Sequence, residues 1–231
     1  MNPTPLLYLA FKGLNDSMKG SLDGTKIENI KETINNFAIA SALASMAACV
    51  IPGVAGVVAA LTQAGFVWAT YVKINQTLGI SMSENTAKFL GSAIVTNIVT
   101  CSSALLLSYA GAAIVGMIPL YGQALAAAID AALGFIIIYV AAIIYLQLIS
   151  KMMQPDGTLK VPKEDDTKHI IEDIIKQNNM KDLIKEGRNC YKKAKADGSL
   201  DKAKKNPKCP GCGADVRPGQ KFCSDCGTAL N

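Results

Sequence analysis

Two Cys-x-x-Cys pairs close the chain: Cys209 and Cys212 in Cys-Pro-Gly-Cys-Gly, then Cys223 and Cys226 in Cys-Ser-Asp-Cys-Gly. One tight turn can present two sulfurs to a single ion, and a second such turn completes the tetrahedron that Zn²⁺ prefers. Gly213 and Gly227 each follow the second cysteine of a pair, where a residue free to take positive φ lets the backbone fold over the metal. Four sulfur ligands leave no position for a reactive water, so the spacing predicts a structural zinc site. Such a site needs free thiolates, which persist in a reducing compartment, and this end of the chain is therefore expected in the cytosol. The remaining cysteines, Cys49, Cys101 and Cys190, read as small buried residues.

Elsewhere the chemistry is sparse. His169 is the single histidine and is expected at the surface, and there is no phosphate loop, nucleophile elbow or His-Glu-x-x-His. No enzymatic activity is expected. Asp130 is the one acid inside a long apolar run, and an ionisable residue within a membrane is a candidate functional group. Two readings stay open. Asp130 could line a polar path with Gln63, Asn97 and Thr100, as in a channel, a transporter or a membrane-perturbing protein, or it could be hydrated at the edge of the bilayer core. Thr96, Asn97, Thr100, Ser102 and Ser103 form a polar patch that should meet other helices or a cavity, because an unpaired polar group in hydrocarbon is costly.

The elements that must carry these residues are announced by charge. Of 23 Lys and Arg, 17 lie from Lys151 onward, with 12 of the 18 acids, so the tail holds the whole net charge of +5. Residues 33–150 carry only Lys73, Glu84, Lys88 and Asp130, where a soluble helical domain of that length would carry about thirty charges. A bundle whose outer faces lack charge is expected to have lipid as its solvent. Each uncharged run is broken near its middle by a Pro-containing turn, Pro52-Gly53 in one and Pro119 to Gly122 in the other. The fold class expected is all-α: two helical hairpins, hence four hydrophobic helices, over 33–150. The first pair of arms, 33–51 and 53–72, matches the roughly 30 Å of a hydrocarbon core. Ser83 is placed to cap the third helix, helped by Glu84. Ala40, Ala44 and Ala48, and likewise Ala124, Ala128 and Ala132, offer small faces for close helix approach. A shift of 67 residues puts Gln63 on Asp130, so the hairpins read as a loose duplication. Trp68, Tyr121, Tyr139 and Tyr145 could anchor at the interface.

Residues 1–32 form an N-terminal segment with a short helix expected at the interface or against the bundle. Residues 151–206 hold one amphipathic helix, capped by Thr167 and striped by Ile170, Ile171, Ile174, Ile175, Leu183 and Ile184, followed by a Lys-rich linker. Residues 207–231 hold the zinc module. Lysines concentrate on both flanks and in the 73–88 connection while the Pro turns carry no charge, so both termini are expected on the cytosolic side of an inner or plasma membrane. Hairpins that dip into the bilayer from that side and never emerge would satisfy the same charges.

The run from Ile51-Pro-Gly through Tyr71-Val-Lys-Ile-Asn-Gln-Thr-Leu-Gly-Ile-Ser81 to the second Ile-Pro-x-x-Gly resembles a bacterial helical membrane family that accompanies small GTPases, over about residues 35–150. The end of the chain resembles the zinc-ribbon modules appended to many bacterial membrane proteins. The resemblance implies a bacterial membrane protein that works with a GTPase or another cytosolic partner, and the function expected is an oligomeric membrane protein that presents its ribbon to that partner. Nucleic acid is not the expected partner, because no aromatic residues interleave the lysines.

Overall fold

The computed structural model describes residues 4–48, 55–114, 123–154, 156 and 158–205, with positions 209, 212, 214, 216, 222, 223, 225 and 228 of the C-terminal module. Side chains are described for all of these except 47–48, 55–62, 111–114, 123–126 and 204–205. Eight helices follow one another among the described residues: α1 (Pro5–Ser17), α2 (Gly24–Ala48), α3 (Ala55–Leu78), α4 (Glu84–Ile114), α5 (Gln123–Met152), α6 (Glu164–Gln177), α7 (Met180–Ala196) and α8 (Ser199–Lys205). The all-helical expectation holds for these residues; an isolated bridge joins Met153 and Leu159.

Local chemistry sets the helix ends. Pro5 opens α1, where a missing N–H costs nothing. α3 stops at Gly79, whose φ of 73° lets the Ile80 N–H reach back to the Asn75 carbonyl at 2.9 Å. Ser83 caps α4 as expected, its Oγ accepting the Thr86 N–H at 3.1 Å, a contact worth about 1 kcal/mol.

Helix α5 is the axis of the fold. From Phe135 to Ile149 nearly every side chain is buried, enclosed by α1, α2, α3, α4, α6 and α7. Tyr71 of α3 stacks on Tyr145 at 3.7 Å between ring centroids and donates to the Ala141 carbonyl at 3.0 Å. The Tyr145 hydroxyl donates to Asn75 Oδ1 at 2.8 Å. Tyr139 and Tyr145 are thus core residues and not interface anchors, while Trp68 is half-buried under the Lys88 ammonium.

Several boundaries differ from the sequence reading. α2 begins at Gly24, well before residue 33, because Ile27, Ile30 and Ile34 continue the helical stripe past the charges that seemed to end it. The tail holds two amphipathic helices in place of one. Asn179 breaks the stripe and caps α7, its Oδ1 accepting the Lys181 N–H at 3.2 Å. Thr167 lies inside α6, not at its cap; it is buried and its hydroxyl donates to the Pro162 carbonyl at 3.2 Å. The Lys-rich linker, expected to be flexible or loosely helical, is helical where it is described: it continues α7 and then forms α8, which buries Leu200 and packs on α2 and α7. α1 packs on α5 through Leu7, Ala10, Phe11 and Leu14, which bears out its expected place against the bundle.

Two helices among the described residues are long and apolar enough to cross a membrane, Glu84–Ala110 and Ala127–Met152. They are not equivalent. The second is 83% buried inside the protein, so its apolarity already serves the core, whereas the first is only 33% buried. Among the described side chains, α4 presents a long apolar stretch that packing within the chain leaves largely unburied. Both Pro turns, with Pro52, Gly53, Pro119 and Gly122, lie outside the described residues.

Candidate metal centre

The Sγ atoms of Cys209, Cys212 and Cys223 all lie within 4.8 Å of one another, with Cys212 and Cys223 3.6 Å apart. Cys209 and Cys223 are buried and Cys212 is partly so. Two backbone hydrogen bonds of the same register build the turns that bring them together. The Cys209 N–H donates to the Ala214 carbonyl and the Cys223 N–H to the Thr228 carbonyl, both at 2.8 Å. The first cysteine of each pair is thus tied to the residue five positions on, which closes the chain over the sulfurs. Val216 and Ala214 pack beside them and screen one side from water. Three thiols brought so close in a small, partly dry pocket repel one another once ionised, and a divalent cation offsets that repulsion. The Asp225 N–H donates to Cys223 Sγ at 3.4 Å and orients that sulfur. The donor set is soft sulfur converging on one point, which suits zinc.

Residues 208–230 match the model of the zinc-ribbon domain. No curated protein and no solved structure matches the chain. The three cysteines form a possible metal site consistent with Zn²⁺, with no acid or histidine among the described ligand candidates. Cys226, expected as the fourth ligand, lies outside the described residues.

The other candidate residues fall in different places. Gln63 is buried between α2 and α5: its Oε1 accepts from Ser41 Oγ at 2.7 Å and its Nε2 donates to Ser45 Oγ at 2.6 Å. Ser41 also donates to the Gly134 carbonyl at 3.2 Å. Asn97 donates to the Ala93 carbonyl of its own helix at 2.9 Å, and Thr100 is exposed on the outer side of α4. Asp130 is half-buried on α5. Ser102 alone of the α4 polar patch is buried; Thr96, Thr100 and Ser103 face outward, contrary to the expectation that they meet other helices. The small face of α2 is rotated too. Ala38, Ser41, Ala42 and Ser45 are buried while Ala40 and Ala44 are half-exposed, because Gln63 satisfies the serines and so selects their side. Ala128 and Ala132 are buried as expected, with Ala131 beside them, and the Ala124 side chain lies outside those described.

Of the spare cysteines, Cys101 is exposed, not buried, and Cys190 is partly buried, its thiol pushed up chiefly by burial. His169 is exposed as expected. Sequence reading missed Glu186. This carboxylate is buried, accepts the Leu6 and Leu7 N–H groups at 3.1 and 3.3 Å, and is also met by Thr4 and Tyr139. It caps α1 from 180 residues away in sequence, and only its place in a Lys-rich amphipathic stripe hinted at more than a surface charge.

Proposed function

We propose that this protein is a membrane-associated adaptor, non-enzymatic, whose helical bundle rests on or in a bilayer while its zinc ribbon contacts a protein partner. The observation that carries the membrane half is α4. From Phe89 to Ile114 it has no charged residue, yet only a third of its apolar span is buried by the rest of the chain. A helix facing water along such a length would carry charges on its outer side. Residues 47–62 and 111–126, which flank the two Pro turns, are likewise free of charge. The hairpins enter the bilayer by these ends, from the same side as both termini, and that side is the cytosolic face of an inner or plasma membrane.

The ribbon supports the partner half. A structural zinc site contributes a folded surface in a segment too short for a hydrophobic core, and surface is what remains for it to supply once catalysis is set aside. Cys226 completes the ligand set. Phe222 is exposed at 62% and is a natural contact residue for that partner. The resemblance of residues 35–150 to a GTPase-associated membrane family favours a cytosolic GTPase, and association of several copies in the membrane would multiply the ribbon's contacts.

Affinity capture from membranes with the wild-type chain and with Cys223→Ser tests the partner half. Partners lost with the variant support it; retention of every partner removes the ribbon from the mechanism.

A further inference from the structure

A cavity of about 610 Å³ opens between α4 and α7, walled by Leu105, Ser108 and Tyr109 on one side and by Lys181, Lys185 and Arg188 on the other. Three cations meet there against a single carboxylate, Asp182. Among the described residues none of the three is in an ion pair, although lysines elsewhere are: Lys31 pairs with Glu28, Lys88 with Glu84 and Lys176 with Glu172. The Arg188 guanidinium is held over the Tyr109 ring at 4.9 Å, and its Nε is buried with no hydrogen-bond acceptor from the protein. A fixed guanidinium with an unused buried donor is a costly arrangement unless an acceptor is supplied from outside.

What adjoins the cavity decides the ligand. Val99, Leu105 and Leu107 are exposed along α4, Leu107 at 58%, and the helix around them has no charge. Cations at one end and an uncharged apolar wall at the other complement a molecule with an anionic head and hydrocarbon tails. We propose that the cavity seats the phosphate headgroup of an anionic phospholipid, with Lys181, Lys185 and Arg188 on the phosphate and the acyl chains along α4. This rests on the membrane reading above and adds to it a lipid preference. Tyr109 fixes the guanidinium plane, so Arg188 presents its donors to the phosphate at little cost in rotamer freedom.

The test is flotation of the full, zinc-loaded chain with phosphatidylcholine vesicles and with the same vesicles containing phosphatidylglycerol. Stronger binding to the anionic vesicles is expected, and Lys181→Gln with Lys185→Gln should weaken that binding roughly 30-fold while leaving binding to neutral vesicles intact. Both lysines are exposed, so the fold should survive. The control pair Lys193→Gln with Lys202→Gln, also exposed, should change it far less. An equal loss in the control pair would mean diffuse charge attraction and overturn the site. So would a wild-type chain that binds both vesicle types alike, which leaves the membrane reading standing. Displacement from the vesicles by inorganic phosphate at low concentration would overturn the lipid as source. Failure to bind any vesicle would remove both proposals together.

Discussion

Gly134 sits where α5 passes closest to α2 and α3, and its lack of a side chain is a packing requirement. A Cβ there would stand 2.6 Å from Ser45 Oγ, 2.9 Å from Gln63 Nε2 and 3.0 Å from the Ser41 carbonyl oxygen. The neighbours cannot yield freely, because Ser45 Oγ and Gln63 Nε2 are bonded to each other in the buried network and the third is backbone of α2. Gly134→Ala is expected to destabilise the fold by about 1–3 kcal/mol. Gly65→Ala, on the exposed side of α3 with nothing within 4 Å, should be neutral or stabilising by up to about 1 kcal/mol. Thermal unfolding of the two variants side by side checks both. Equal effects would mean that helix propensity, not close approach, governs these positions. At the same scale, Cys223→Ser should abolish bound zinc without unfolding α1–α8, since the ribbon cysteines and the bundle form separate hydrophobic clusters. Zinc analysis and far-ultraviolet circular dichroism together measure this. The zinc ligands were the most legible residues in the sequence because their chemistry is local: spacing within one turn suffices. Gln63 stands out in the sequence only as a counterpart of Asp130 under the 67-residue shift, because its partners Ser41 and Ser45 lie on another helix that no local pattern connects to it.

Among the elements, α1 shows most directly how distant residues fix a helix. Its N-terminal N–H groups have no capping side chain of their own, and the Glu186 carboxylate supplies acceptors from α7. A negative group at the positive end of a helix stabilises it, and the contact also ties α1 and α7 across α5. Glu186→Ala should loosen α1 by about 1–3 kcal/mol, because buried N–H groups would lose their acceptor. Hydrogen exchange should then accelerate across α1 with little change in α3 or α4; uniform acceleration would mean that the cap stabilises the whole bundle and not this element. Helix existence was readable from stripes and caps, as Ser83 shows. Boundaries were less so. Asn179 splits what looked like one helix, and the first turns of α2 run through Lys26, Glu28 and Lys31, charges that composition placed in the N-terminal segment.

For the whole molecule, the scarcity of charge over residues 33–150 has two causes that the sequence could not separate. α5 is apolar because other helices enclose it, including α1, α6 and α7, whose charges lie outside the stretch that was counted. α4 is apolar without such cover, and the membrane reading now rests on that helix and on the uncharged turns. The sequence gives periodicity and charge along the chain, but which helix occupies the centre depends on contacts between residues far apart, such as Tyr71 with Tyr145 or Gly187 against Ile136. One measurement bears directly on the central claim. Membranes from cells expressing the full chain are washed with alkaline carbonate and then extracted with detergent. The account predicts that the protein stays with the membranes through the wash and is released with its zinc only by detergent. Recovery as a monodisperse species in plain buffer, without lipid or surfactant, would contradict it.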